Sequence, residues 1–281
     1  MQITVTNHIG ESLQLDNMKY PVISVEGLTP PDATINTSEV ATTDGSHYNS
    51  SRINQRNIVL TIVPERINVE KARIELYKYF KSKRKVTLEL KTKYRHVKIE
   101  GYTETVESDL YSQKQSFQIS IICPRPFFTD VNQVTFKQST TQNGIEFPFE
   151  TPQNGIVLSR LEELKDVNVI NVGEENTGLT IELLATGTVL EPAIYNKTTR
   201  EKMSIQSELK RGDIVRIDTK QGQKRIVHIS NGVQTNIIND IVKGSKWLTL
   251  EIGENIFSYS ATYGIENLEV SYSFNPLYEG V

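Results

Sequence analysis

The first thing this sequence lacks is any means of covalent cross-linking. It has one cysteine, Cys123, in 281 residues, so no internal disulfide framework can form. Long apolar runs are missing too. No stretch approaches the roughly 20 residues that a membrane-spanning helix needs. The opening segment MQITVTNHIGESLQLD is polar where a secretory signal would carry its apolar stretch. The expectation is a chain made in a reducing cytosol, with no membrane contact and no need of a staple. Excess charge of one sign is also absent. The net charge is −3, divided as +2 through residue 135 and −5 beyond it, which excludes the basic stripe of a dedicated nucleic-acid binder. A mixed, weakly charged surface fits protein partners. With 37% hydrophobic and 23% charged residues, the chain is not an intrinsically disordered one.

Recognisable catalytic chemistry is equally scarce. His8, His47, His96 and His228 are far apart, and none lies at metal-ligand spacing from another or from Cys123. Cys123 follows Ile121 and Ile122 at a strand end and reads as a small buried hydrophobe. KGSKW (243–247) resembles the end of a phosphate-binding loop, but the upstream glycine and the following helix are missing. No G-x-S-x-G, H-E-x-x-H or EF-hand loop occurs. Glu162–Glu163 and Glu174–Glu175 are sequence neighbours, whose side chains diverge on any regular element and so make poor acid/base pairs. The expectation is therefore no catalytic residue, no metal and no cofactor.

What the sequence does have is β-pattern. Residues 1–28 alternate in short runs, and RNIVLTIVPE (56–65) is a strand stopped by Pro64. Between them lies TPPDATINTSEVATTDGSHYNSSR (29–52), a polar excursion with almost no apolar periodicity. Loops of this length in compact domains tend to be functional or to order against a partner, a floppy surface loop being the competing reading. One helix follows. Asn68 caps it, Glu70 sits in its first turn, and Val69, Ala72, Leu76 and Phe80 recur at helical spacing. The basic cluster Lys81, Lys83, Arg84 and Lys85 suits the negative end of the helix dipole. Strands resume at 85–90, 96–109 and 116–128, and the polar, Gly- and Pro-containing stretch 136–155 reads as a domain junction.

The second half is nearly pure β-pattern: roughly eight to ten short strands, with a hairpin over 211–229 that turns at Gly222. Residues 158–166 offer one short helix at its start. The pattern indicates a β-sandwich, and sandwiches often stack sugars on exposed aromatics. Trp247 and Tyr259 are the candidate glycan-binding residues, against a competing reading as core or interface aromatics.

Several segments together carry a family resemblance. They are VEGLTPPDATINTSEVATTDGSHYNSSRINQRNIVLTI (25–62), ELYKYFKSKRKVTLEL (75–90) and HVKIEGYTETVESDLYSQKQSFQISIICPRPFF (96–128) in the first half. In the second they are ATGTVLEPAIYNKTTREKMSI (185–205), GDIVRIDTKQGQK (212–224), SKWLTLEIGENIFSYSA (245–261) and LYEGV (277–281). In this order the chain resembles the phage distal tail (Dit) proteins of siphophage tail tips and baseplates. The resemblance implies a mainly β fold: an N-terminal split-barrel-like β domain with one α-helix over residues 1–135, and a C-terminal galectin-like β-sandwich over 136–281. It implies a homohexameric ring in the virion tail tip, joining the tail tube protein to the tail-associated hub protein. A receptor-binding protein would attach at the periphery, and DNA would meet the ring only in transit through its lumen. A carbohydrate-binding adhesin acting through the sandwich is the alternative.

A closed ring needs a heterologous interface, one patch docking on a different patch of the neighbour. An extended segment can supply it by adding to a neighbour's sheet edge. The candidate arm is the 29–52 excursion, with Ile35, Asn36, Val40, Asp44, His47, Tyr48 and Arg52 as its interface residues.

Overall fold

The computed structural model describes residues 1–15, 18–39, 41–42, 44–64, 69–109, 115–138, 141–143, 159–161 and 166–281. They form two units. The first is Met1–Asn132 together with Leu277–Val281, and the second is Gln133–Pro276. This differs from the expected division at 135/136 in one respect that matters: residues 277–281 fold with the first unit. The reason is strand pairing, since Leu277 and Tyr278 lie antiparallel to Thr129 and Phe128.

The first unit contains β1 (Gln2–Thr6), β2 (Ser12–Leu15), β3 (Val22–Glu26), β4 (Ala33–Glu39), β5 (Ser46–Ile53), β6 (Arg56–Ile62), α1 (Val69–Tyr79), β7 (Lys85–Lys91), β8 (His96–Ser108), β9 (Phe117–Cys123) and β10 (Phe128–Asp130). Its antiparallel sheet runs β2-β1-β7-β8-β9-β6-β3, and β10 joins through β8 and the Leu277–Tyr278 strand. Alternation decides which face is buried. Ile58, Leu60 and Ile62 of β6, Val86, Leu88 and Leu90 of β7, and Ile119 and Ile121 of β9 all enter one core. The helix closes that core with Ala72 and Leu76, and Phe80 follows them in, as the spacing of three and four requires. Each buried Val, Leu, Ile or Phe among them stabilises the fold by about 1.5–3 kcal/mol. The expected cap Asn68 lies outside the described residues.

The second unit stacks two antiparallel sheets on one core. The larger runs Val134–Gln138, Leu268–Phe274, Thr180–Ala185, Ile214–Asp218, Arg225–Ser230, Val233–Asn236. The smaller runs Val167–Asn171, Gly253–Ser260, Ala193–Asn196, Glu201–Ser204. Ile181, Leu183, Val215 and Val270 face Val169, Ile194, Met203 and Phe257 across it. The rings of Phe257 and Tyr272 meet there, tilted, with centroids 4.8 Å apart. The hairpin expected around Gly222 is present, with that glycine at φ +73°. The short helix expected over 158–166 is not: Ser159–Leu161 is a strand whose backbone pairs with Thr141–Asn143, and 158 and 162–165 lie outside the described residues. Of the junction 136–155, residues 136–138 belong to a strand, and 139–140 and 144–155 are outside the described residues. Among the described residues no helix is long and apolar enough to cross a membrane.

Candidate assembly interface

The polar excursion is not an irregular loop. β4 and β5 pair with each other and with no other described strand, forming a two-stranded ribbon whose turn holds Gly45 at φ +89°. Side chains reinforce the ladder: Asn36 donates to Ser50 at 3.0 Å, Ser38 to Asn49 at 3.3 Å, and Thr34 to Asn54 at 3.0 Å. Except for Thr34, every residue of both strands is exposed. An isolated two-stranded hairpin is at best marginally stable in water. A ribbon solvated on both faces therefore has most to gain from a partner.

The register assigns the faces. Ala33 pairs with Ile53 and Ile35 with Ser51, but the register shifts after Asn36, so that Thr37 pairs with Tyr48. Asn49 is the extra residue of this β-bulge. Ala33, Ile35, Tyr48 and Ile53 consequently share one face, while Asn36, Ser38, His47, Ser50 and Arg52 share the other. Ile35 is 63% and Tyr48 65% exposed, and the Tyr48 hydroxyl lies 2.8 Å from that of Ser51 on the same face. The expected arm residues thus divide. Ile35 and Tyr48 form an apolar stripe with Ile53, whereas Asn36, His47 and Arg52 lie opposite, and Asp44 is at the turn. Val40 lies outside the described residues. Ile53 was missed because, read as a loop, the segment had no faces to assign.

The ribbon's base is fixed by backbone and arginine chemistry. Asn54 N–H donates to the Asp32 carbonyl at 3.0 Å. Arg56, 3% exposed, donates to the carbonyls of Gly27 and Thr29 at 2.5 and 2.6 Å. Burial pulls its pKa below the ordinary arginine value, yet a guanidinium stays ionised in a protein, and its donors are spent on these carbonyls.

The two glycan-binding candidates are not brought together as a platform. Tyr259 is 3% exposed, with its hydroxyl donating to the Leu268 carbonyl at 3.0 Å, so its ring is not available to stack on a sugar. Trp247 is partly buried against the core of the second unit, and the Lys224 ammonium stands 5.4 Å from its ring centroid. Cys123 is fully buried, and burial pushes its thiol up to about 12. His96 meets Glu89 at 2.6 Å, and His228 meets Asp213 at 3.1 Å. Among the described residues no three His, Cys, Asp or Glu side chains gather as a metal site. A shallow depression lined by Gln2, Thr4, Glu89, Lys91 and His96 holds about 130 Å³, well below the roughly 300 Å³ at which small-molecule sites begin.

Comparison with known proteins agrees with this division. Residues 10–123 match the phage tail protein RIFT-related domain, and residues 172–276 match the siphovirus-type tail component, C-terminal domain. The crystal structure of SPP1 Dit, described as a paradigm of the hub adsorption apparatus in Gram-positive infecting phages, superposes with a TM-score of 0.70 at 14% identity over 98% of both chains. The phage P2 baseplate in its activated conformation with Ca superposes at 0.54, with 11% identity over 97% of both chains. The same baseplate with Sr gives 0.52 at 12% identity, again over 97% of both. No curated protein matches the chain in sequence. With a tail-protein domain matched in each of its two units, the chain belongs to the siphovirus Dit tail component family.

Proposed function

We propose that this phage distal tail and baseplate component assembles as a homohexameric ring, with its β4–β5 ribbon reaching from each subunit onto the next. The observation that carries this reading is the ribbon itself: two paired strands, solvated on both faces, with an exposed stripe of Ile35, Tyr48 and Ile53. Covering that stripe on a neighbour is a heterologous contact, of the kind that closes a ring. Obligate interfaces of this class bury upwards of about 2,000 Å². The first unit, read as split-barrel-like, forms the ring between the tail tube protein and the tail-associated hub protein. The second, read as a galectin-like sandwich, offers the peripheral surface to a receptor-binding protein. DNA passes through the lumen, whose weakly charged wall does not retain it. The role is structural, in the virion tail tip, with no reaction catalysed.

Light scattering and electron microscopy test this directly. The expected species has six times the 31.9 kDa of one chain and a central hole. A chain that stays monomeric, alone and with tail tube protein added, overturns the reading.

A further inference from the structure

Among the described residues beyond Asn132, only 277–281 return to the first unit. Their attachment combines main-chain pairing with side-chain contacts. Tyr278 pairs with Phe128, and the Arg95 guanidinium stands 4.5 Å from the Tyr278 ring while donating to the Gly280 carbonyl. Val281 N–H donates to the Leu28 carbonyl at 3.1 Å. Gly280 passes so close to the same segment that a Cβ there would stand 3.2 Å from the Leu28 oxygen and 3.3 Å from Pro30 Cδ.

One buried side chain ties these pieces together. Arg56 lies over the Phe128 ring at 4.5 Å and spends its donors on four carbonyls. Two belong to Gly27 and Thr29 ahead of the ribbon; the others are Pro126 at 2.6 Å and Glu279 at 2.5 Å. Arg56 itself follows β5 by three residues. The stem by which the chain enters the ribbon, the stem by which it leaves, and residues 279–281 are therefore held as one cluster. The cluster sits at the ribbon's root, with Phe128, a member of the first unit's core, against Arg56.

We infer that Leu277–Val281 is a strap that sets the direction of the β4–β5 ribbon by clamping its stem at Gly27–Pro30. Its consequence for assembly rests on the reading of the ribbon as the ring-forming arm; the clamp itself does not. A stem held by a fork of hydrogen bonds leaves the unit at one angle, which pre-organises the apolar stripe for docking. A released stem samples many angles and loses affinity without losing a single interface side chain.

The test uses the full chain and a chain ending at Pro276, each carrying spin labels at Asp44→Cys and Gln118→Cys and diluted with unlabelled protein of the same kind. The native Cys123 is buried and does not compete for label. In the full chain the distance distribution is expected to be narrow. Without the strap it broadens, and amide exchange at Gly27, Leu28, Thr29 and Asp32 rises at least about tenfold. Exchange in the second unit stays unchanged, and self-association falls. Added peptide LYEGV restores the narrow distribution. A narrow distribution with unchanged exchange in the shortened chain overturns the strap. Broadening with hexamers intact upholds the strap and overturns the arm. Should the shortened chain not fold, Gly280→Val and Arg95→Ala in the full chain, which lift the segment without removing it, decide by the same readouts.

Discussion

Ile35 and Tyr48 share a face of the β4–β5 ribbon only because Asn49 is an extra residue in β5. Continuing the pairing of Ile35 with Ser51 without a shift would put Tyr48 opposite Ser38, on the face of Asn36 and Arg52. The bulge moves one aromatic ring across the ribbon and adds it to the stripe of Ile35 and Ile53. Asp in place of Ile35 or Tyr48 is therefore expected to weaken self-association by at least about tenfold, since each loses a burial worth roughly 1.5–3 kcal/mol. Asn36→Ala and His47→Ala, on the opposite face, should change it little. Deleting Asn49 removes the bulge but leaves Tyr48 opposite Thr37, on the Ile35 face, and should likewise change self-association little. A sedimentation titration of each variant measures these effects; equal effects from both faces would contradict the assignment.

Removing the ribbon is the coarser experiment. Deleting roughly residues 34–50 should abolish the ring while leaving both units folded, because β4 and β5 bury none of the core side chains. Circular dichroism and light scattering on the same sample give the answer. Hexamers that survive the deletion place the interface elsewhere.

Much of the fold was legible in the sequence wherever burial imposed a period. Ile58, Leu60 and Ile62 alternate because one side of β6 faces the core, and Ala72, Leu76 and Phe80 follow the helical period for the same reason. The ribbon escaped because neither of its faces is buried in the chain, so no apolar alternation was required and a loop was expected. The return of residues 277–281 escaped for a different reason. Two strand residues carry no period, and their partner Phe128 lies about 150 positions away. Arg56 looked like the polar start of a strand; nothing local announces an arginine whose partners are carbonyls at Gly27, Pro126 and Glu279.

Cys123 gives a reporter of the first unit. It is fully buried on β9, and burial raises its thiol to about 12, so the thiolate is scarce and inaccessible at neutral pH. A thiol reagent at pH 8 should label the native chain only as fast as the first unit opens, and labelling should become immediate in denaturant. Rapid stoichiometric labelling of the native chain would contradict this placement.

Two glycines in the second unit separate backbone strain from collision. Gly264 and Gly232 have similar positive φ values, +74° and +79°. A Cβ at Gly264 would stand 1.9 Å from the Thr188 oxygen, whereas one at Gly232 meets nothing within 4 Å. Gly232→Ala should cost only the left-handed penalty of about 1–2 kcal/mol. Gly264→Ala must also displace backbone, and roughly 3 kcal/mol or more is expected. Denaturant midpoints of the two variants make the comparison, and equal losses would mean that the Thr188 contact is not there.

The last prediction concerns pH and the bridge between the β2–β3 connection and the helix. Lys19 and Tyr20 both donate to Glu75 Oε2, at 2.6 and 2.7 Å. The Lys19 bond, then that of Tyr20, holds the Glu75 carboxyl below the ordinary value of 4.5. A depressed acid contributes stability above its unfolded value, and that contribution disappears as pH falls through the folded one, so the loss lies in acid below about 4.5. Tyr20 runs the other way. Burial first, then the bond to Glu75, raises it from 10.0 to about 12, and the Glu75 bond also raises Lys19. Stability held by these two groups is complete below pH 10 and declines as pH rises toward about 12. Lys19 and Glu75 are open enough to solvent that their ion pair contributes within about 0–1 kcal/mol. Glu75→Gln should therefore flatten the acid limb of the stability curve and leave the neutral plateau nearly unchanged. Chemical denaturation at intervals from pH 3 to 11 measures both limbs, and an acid limb as steep in the variant as in the parent would assign the acid sensitivity to other carboxylates.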